Sequence, residues 1–197
     1  MFLEAAILGL LIGIIRKGRF SNLAEIKING WILIFIAVLL QLLPLLAPAF
    51  PFVEKYQRYF YIASTILILF VVTINLNKKG FRIISIGVLL NLFVMLMNGF
   101  KMPIYLEGLK FAGLESIVKG IETGDILNYM PLEKVMDWTK YFGKFIVVPK
   151  PYPLAKVISV GDIFMSLGIV LFIQGEMTKS YLTMKSRMIR MGYKSRW

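Results

Sequence analysis

Apolar residues gather in five stretches, 2–15, 31–50, 59–76, 81–98 and 157–174, separated by short polar turns and one long polar segment. A bilayer-spanning helix needs roughly 20 largely apolar residues. The pattern therefore predicts an all-α fold, a polytopic transmembrane bundle of about five spanning helices. The first stretch is short, and a secretory signal is its competing reading. Met-Phe-Leu-Glu has no basic start, however, and Arg16, Lys17 and Arg19 follow the apolar run rather than precede it. That stretch is expected to stay as a helix.

The long polar segment, 101–156, divides the chain into four spanning helices within 1–100, an extracytoplasmic insertion, a last span at 157–175 and a tail at 176–197, all in one membrane domain. Within the insertion, 103–119 sets Leu106, Leu109, Leu114, Ile117 and Val118 among Glu107, Lys110, Glu115 and Lys119. The stretch 131–142 likewise sets Leu132, Val135, Met136 and Trp138 among Glu133, Lys134, Asp137 and Lys140. Both spacings predict short amphipathic helices, with Pro131 in a first turn and Gly120 and Gly143 as stops. Val-Val-Pro-Lys-Pro-Tyr-Pro at 147–153 predicts an extended return to the last helix. The insertion reads as a helical cap over the bundle.

Composition fits a chain whose solvent is lipid: 58% hydrophobic residues, 17% charged, and a mean hydropathy of +0.73. Charge then sets the orientation. Arg16, Lys17, Arg19, Lys27, Lys78, Lys79, Arg82, Lys179, Lys185, Arg187, Arg190, Lys194 and Arg196 fall on one side, opposed only by Glu25 and Glu176, a net of +11. The insertion sets eight lysines against six acids, a net of only +2. Positive charge marks the cytoplasmic side, so the N-terminus is expected outside and the tail inside a bacterial cytoplasmic membrane. The whole-chain charge of +12 raises nucleic acid as a partner, but the bases are spread over separate connections and no nucleic-acid motif accompanies them. From Lys179 to Trp197, bases alternate with Tyr181, Leu182, Met184, Met188, Ile189, Met191, Tyr193 and Trp197. This predicts a segment lying on anionic lipid headgroups, with a cytoplasmic partner as the alternative.

The chain has no cysteine and no histidine, which excludes disulfides, Fe–S clusters, thiol catalysis, Cys/His zinc sites, His-ligated haem and histidine base catalysis. No cofactor is expected. An enzyme here would depend on carboxylates, Lys, Tyr or Ser.

Polar groups inside apolar spans are costly and ask for a partner or a purpose. With the N-terminus outside, Glu4, Asn98, Lys101 and Asp162 share the outer layer, and an Asp162–Lys101 or Glu4–Lys101 pair would neutralise charge there. Snorkelling to water is the plain alternative for Glu4 and Lys101. Asp162 has little reach; it stands between Ser159 and Ser166, and Gly161 and Gly168 beside it allow close approach of a helix or a ligand. Binding and helix packing are both open for it. Gln41 and Asn91, deeper in, suit hydrogen bonds across the bundle. Ala5, Gly9 and Gly13 form a small-residue stripe that marks an interface, either internal or with a membrane-protein partner or second copy. Pro44 predicts a kink or an end in the second helix.

Asn98-Gly99-Phe100-Lys101-Met102-Pro103-Ile104, followed some fifty residues later by Ser159-Val160-Gly161-Asp162-Ile163, resembles the pattern of a bacterial family of small membrane proteins, domain of unknown function 5317. Phe2-Leu3-Glu4-Ala5 and Arg16-Lys17-Gly18-Arg19-Phe20-Ser21-Asn22-Leu23 resemble that family's first helix and basic turn, so the likeness covers essentially the whole chain. One departure is Tyr141-Phe142-Gly143-Lys144-Phe145, where a Leu-Gly-Asp-like element is expected; any role of that acid is in doubt here. The resemblance implies a multi-helix membrane fold and no established activity. It singles out Asn98, Lys101, Met102, Pro103, Ser159, Gly161 and Asp162 as candidate ligand-binding residues, to which depth adds Glu4.

Three functional classes follow. The first is a small-solute or lipid binding or transport subunit using the outer layer as its pocket. The second is a non-catalytic accessory subunit of a larger membrane complex. The third, an intramembrane lipid enzyme, would need a Ser–Lys dyad of Ser159 and Lys156, for which helix capping is the simpler role.

Overall fold

The structure, a computed structural model, describes residues 1–47 and 50–179. Along the chain run α1 (Phe2–Ile15), the single turn α2 (Ser21–Ala24), α3 (Trp31–Leu46), α4 (Pro51–Ile74) and α5 (Phe81–Met97). There follow β1 (Met102–Ile104), α6 (Leu106–Phe111), α7 (Glu115–Thr123), β2 (Tyr129–Pro131), a 3-10 turn (Leu132–Lys134) and α8 (Asp137–Lys140). The chain then forms β3 (Lys144–Val148), β4 (Lys156–Ser159) and α9 (Val160–Met177).

The five apolar stretches are helices, with boundaries displaced in α3, α4 and α9. α4 begins at Pro51, two turns before the expected 59, because Pro is favoured in a first turn and Glu54, Lys55, Gln57 and Arg58 are good helix formers despite being polar. α9 begins at Val160, since Lys156–Ser159 are a strand. Among the described residues, α4 and α9 are long and apolar enough to cross a membrane, and α1, α3 and α5 are shorter apolar helices. Pro44 lies inside α3, which stops at Leu46.

The fold is mostly helical but not all-α, and the cap is built differently from the expected pair of amphipathic helices. Its centre is a four-stranded sheet in the order β2-β1-β3-β4. β1 runs parallel to β2, with Met102 opposite Tyr129, and parallel to β3; β3 and β4 are antiparallel. Pro103 has no N–H for a ladder, so hydrogen bonds on either side of it hold the strand, from Met102 N to Asn128 O at 2.8 Å and from Tyr105 N to Lys144 O at 2.9 Å. The first expected helix is split into α6 and α7 by a turn at Gly113, where φ is +72°. Gly120 sits inside α7, and the helix stops at Gly124 instead. Pro131 closes β2 and leads into the 3-10 turn Leu132–Lys134, so the second expected helix is reduced to that turn and α8.

The helices form an arc in the order α1, α9, α5, α4, α3, leaving α1 and α3 at its ends without substantial mutual contact. Glycines set the tightest crossing. A Cβ on Gly161 would lie 2.3 Å from Asn91 Oδ1 and 2.6 Å from the Gly87 carbonyl oxygen, and one on Gly168 would lie 2.7 Å from that of Gly80. α5 and α9 thus touch backbone to backbone. The stripe of Ala5, Gly9 and Gly13 is buried within the chain, where Gly9 meets Val170 and Ile173 and Gly13 meets Met177 of α9.

One end of the arc carries the sheet. Met102 joins Ile62, Leu92, Val94 and Met95 in a cluster that fixes β1 to α4 and α5, while Ile104, Leu109, Val118 and Val157 form the cap's own core. Gln57, buried on α4, donates to Asp125 O at 3.1 Å and accepts from Leu127 N at 3.3 Å. At the opposite end, buried Asn75 accepts from Asn29 N at 3.0 Å and donates to Asn29 O at 2.8 Å, and Asn22 donates to Met177 O at 2.6 Å. Arg16, Lys17, Arg19, Lys27, Lys78, Lys79 and Arg82 lie in the loops of that end or in the first turn of α5. Beyond Lys179, the basic tail lies outside the described residues.

Candidate functional site

The site grows from the junction of β4 and α9. Ser159 ends the strand in extended backbone and caps the helix: its Oγ accepts from Asp162 N at 3.0 Å, while Asp162 Oδ2 accepts from Ser159 N at 3.1 Å. This reciprocal capping box, worth about 1 kcal/mol at such helix starts, aims the carboxylate back at the sheet. Register supplies its counter-charge. Lys144 stands opposite Ser159 across the β3–β4 pair, and its Nζ reaches Asp162 Oδ2 at 2.6 Å. From α5, Asn91 donates to Asp162 Oδ1 at 3.0 Å and accepts from Ser159 Oγ at 2.8 Å. Gly161 makes this possible, because only a residue without Cβ lets Asn91 approach there.

A second cluster lies where α1 meets the return strand. Glu4 accepts from Lys156 Nζ, from the terminal ammonium of Met1, and from Tyr152 Oη at 2.9 Å. Lys156 also lies 5.5 Å from the centre of the Tyr152 ring. Burial pulls the Lys156 ammonium down, but its hydrogen bonds to Glu4 and attraction to that carboxylate outweigh burial and leave it above the ordinary lysine value.

Between the two clusters lies a cavity of about 580 Å³, within the roughly 300–1,000 Å³ common for small-molecule sites. The helices line it with apolar Val38, Ile68, Val88, Met95 and Met165, and the cap lines it with Ile104, Leu109, Leu114 and Ile117. Gln41, Tyr61, Thr65, Asn91, Tyr129, Lys144, Lys156 and Asp162 bring the polar groups.

Of the residues expected together in the outer layer, the structure joins Ser159, Gly161 and Asp162. Glu4 belongs to the second cluster. Lys101 pairs with neither acid: the ammonium at Asp162 is that of Lys144 and the one at Glu4 is that of Lys156. The physical reason is strand register, which carries Lys144 to the start of α9, whereas Lys101 is taken up in the turn leaving α5 and its N–H bonds to Asn98 O. Asn98 donates its side-chain amide to Val94 O at 2.7 Å, closing its own helix. Met102 and Pro103 are fully buried and hold the sheet on the bundle. The Ser159–Lys156 dyad does not form; the serine is engaged with Asn91 and Asp162 and the lysine with Glu4. Three residues apart on one strand, their side chains point to opposite faces.

Lys144 is the residue that spacing alone missed. It sits at the Phe142-Gly143-Lys144 departure, so the one visible signal is a base where an acid is expected. Ser-Val-Gly-Asp is a capping-box signature in its own right.

No solved structure matches this chain. It is similar to an uncharacterized protein of Thermotoga maritima, 29% identical over 172 residues that span 87% of this chain and 89% of the relative. The sequence profile of the Family of unknown function (DUF5317) matches residues 25–174, a stretch that contains α3, the whole cap and the Asn91–Asp162 pair, and the chain belongs to that family.

Proposed function

We propose that this protein is an integral membrane protein of a bacterial cytoplasmic membrane that binds a small solute or lipid, for capture or transport, in the cavity between the helical arc and its cap. The observation that carries the reading is that cavity, largely apolar and lined by a smaller set of polar groups. Membrane residence is supported by the outer faces of the helices. Leu3, Ile7, Leu11 and Ile15 on α1, Ile32, Phe35, Leu39 and Leu42 on α3, Ile66 and Phe70 on α4, and Leu89, Phe93 and Leu96 on α5 are all exposed. An apolar surface of that extent supports contact with lipid tails. The basic loops at the end opposite the sheet support a cytoplasmic assignment for that end, with the cap outside.

Native mass spectrometry of the protein extracted in a mild detergent tests the binding reading. A reproducible adduct of small-molecule or lipid mass is expected, and it is expected to disappear in Val38→Trp, which fills the cavity from α3. A stoichiometric second polypeptide with no small adduct would instead favour an accessory subunit of a larger complex.

A further inference from the structure

Resting on that reading, the cavity also carries information about the chemistry of its occupant. The arc is open between α1 and α3, the two helices that stand at its ends. The cavity wall takes residues from both, Phe2 on one side and Val38 and Gln41 on the other. In a bilayer this side of the arc faces lipid tails, the direction from which a hydrocarbon chain would enter.

The charged end has a direction. Lys144 and Lys156 both line the cavity, with side chains 14% and 22% exposed. Their acids are already engaged. Asp162 receives Asn91, Ser159 N and Lys144 on its two oxygens. Glu4 is not part of the wall and receives Tyr152, Lys156 and the terminal ammonium of Met1. Each ammonium has three donors, so both retain N–H groups beyond those given to the acids. Tyr61, Thr65 and Tyr129 add further polar contacts along the same wall. The wall thus sets two ammonium groups beside Asn91 and the engaged Asp162, with Val38, Ile68, Val88, Met95 and Met165 as its hydrocarbon part.

We infer that the cavity binds an anionic amphiphile, a single alkyl chain lying between α1 and α3 with its carboxylate or phosphate headgroup received at the end of the cavity that Lys144 and Lys156 line. Charge-assisted hydrogen bonds from lysine to such oxygens are among the stronger polar contacts available in a low-dielectric site. The alkyl chain supplies affinity through burial, and the headgroup supplies selection and register.

The test uses the full-length protein in phosphatidylcholine nanodiscs and a palmitate analogue bearing a diazirine in its chain, with cross-linked residues mapped by mass spectrometry. Labelling is expected on the cavity wall, at Val38, Met95 or Met165. It should be competed by palmitate and hexadecyl phosphate at least tenfold better than by hexadecanol or hexadecylamine. Millimolar acetate or inorganic phosphate should leave it unchanged; competition by those free anions would identify a water-soluble anion site and overturn the amphiphile. Lys144→Gln and Lys156→Gln should each lower labelling at least tenfold. Lys156→Gln carries the test if loss of the Asp162 partner prevents Lys144→Gln from folding, because its pair with Glu4 lies nearer the surface. Cavity labelling that hexadecanol competes equally, or that survives both substitutions, would overturn the headgroup assignment while leaving a lipid-binding cavity. Absence of cavity labelling by the palmitate probe and by alcohol and amine probes carrying the same diazirine would overturn the cavity reading itself.

Discussion

Asp162→Ala is expected to destabilise the protein by about 3–5 kcal/mol, the range found when one partner of a buried ion pair is removed. The substitution leaves the Lys144 ammonium in a largely buried position without its counter-charge. It also removes the acceptor for Ser159 N and for the Asn91 amide, and with them half of the capping box at the start of α9. Asp162→Asn retains an oxygen for the cap and should fall between the two. The double substitution Asp162→Asn with Lys144→Met removes both charges while keeping a side-chain oxygen for the cap, and should recover most of the loss, since removing both partners of a buried ion pair leaves no unpaired charge. Thermal unfolding in one fixed detergent reads all four proteins. If Asp162→Ala melts within error of the parent, the polar junction does not hold cap and bundle together.

Gly161→Ala is expected to cost about 1–3 kcal/mol, the usual penalty for overpacking a tight interior. The added Cβ would sit 2.3 Å from Asn91 Oδ1 and 2.6 Å from the Gly87 carbonyl. The first neighbour is held in place by Ser159 and Asp162, and the second is backbone, so relief requires α5 and α9 to move apart. Gly87→Ala meets the same crossing from the other side, 2.4 Å from the Gly161 carbonyl, and should behave alike. Gly120→Ala is the contrast. There the new methyl meets only the flexible side chain of Ile126, and removing a helical glycine is itself favourable, so no loss is expected. Equal melting temperatures for Gly161→Ala and Gly120→Ala would contradict a backbone-to-backbone crossing.

The helices were legible in the sequence because long apolar runs report themselves without reference to any partner. The sheet was not. Its strands are three to five residues long, one contains Pro103, and the parallel pairing of Met102 with Tyr129 joins residues far apart in the chain. Periodicity has no purchase on such elements. The error in the site has the same origin. Lys101 is adjacent in sequence to the end of α5, and so it was the natural partner for an acid in the outer layer; Lys144 reaches Asp162 only through the β3–β4 register. Conversely, Ser159, Gly161 and Asp162 were recoverable, since capping and close helix packing are local properties of Ser-Val-Gly-Asp. Gln57 escaped notice because a polar residue at the start of a helix looks like surface, whereas here it is buried against the loop before β2.

The proposed binding role requires a bundle that lies in a bilayer with its sheet outside. The most direct measurement is cysteine accessibility in sealed right-side-out vesicles, a clean experiment in a chain without native cysteine. Ser116 on α7 and Lys27 in the loop before α3 are both exposed and lie at opposite ends of the arc. Ser116→Cys is expected to react with a membrane-impermeant maleimide at once, and Lys27→Cys only after the vesicles are opened. Immediate labelling of both would contradict the membrane-spanning account, and labelling of Lys27→Cys alone would place the cap on the cytoplasmic side.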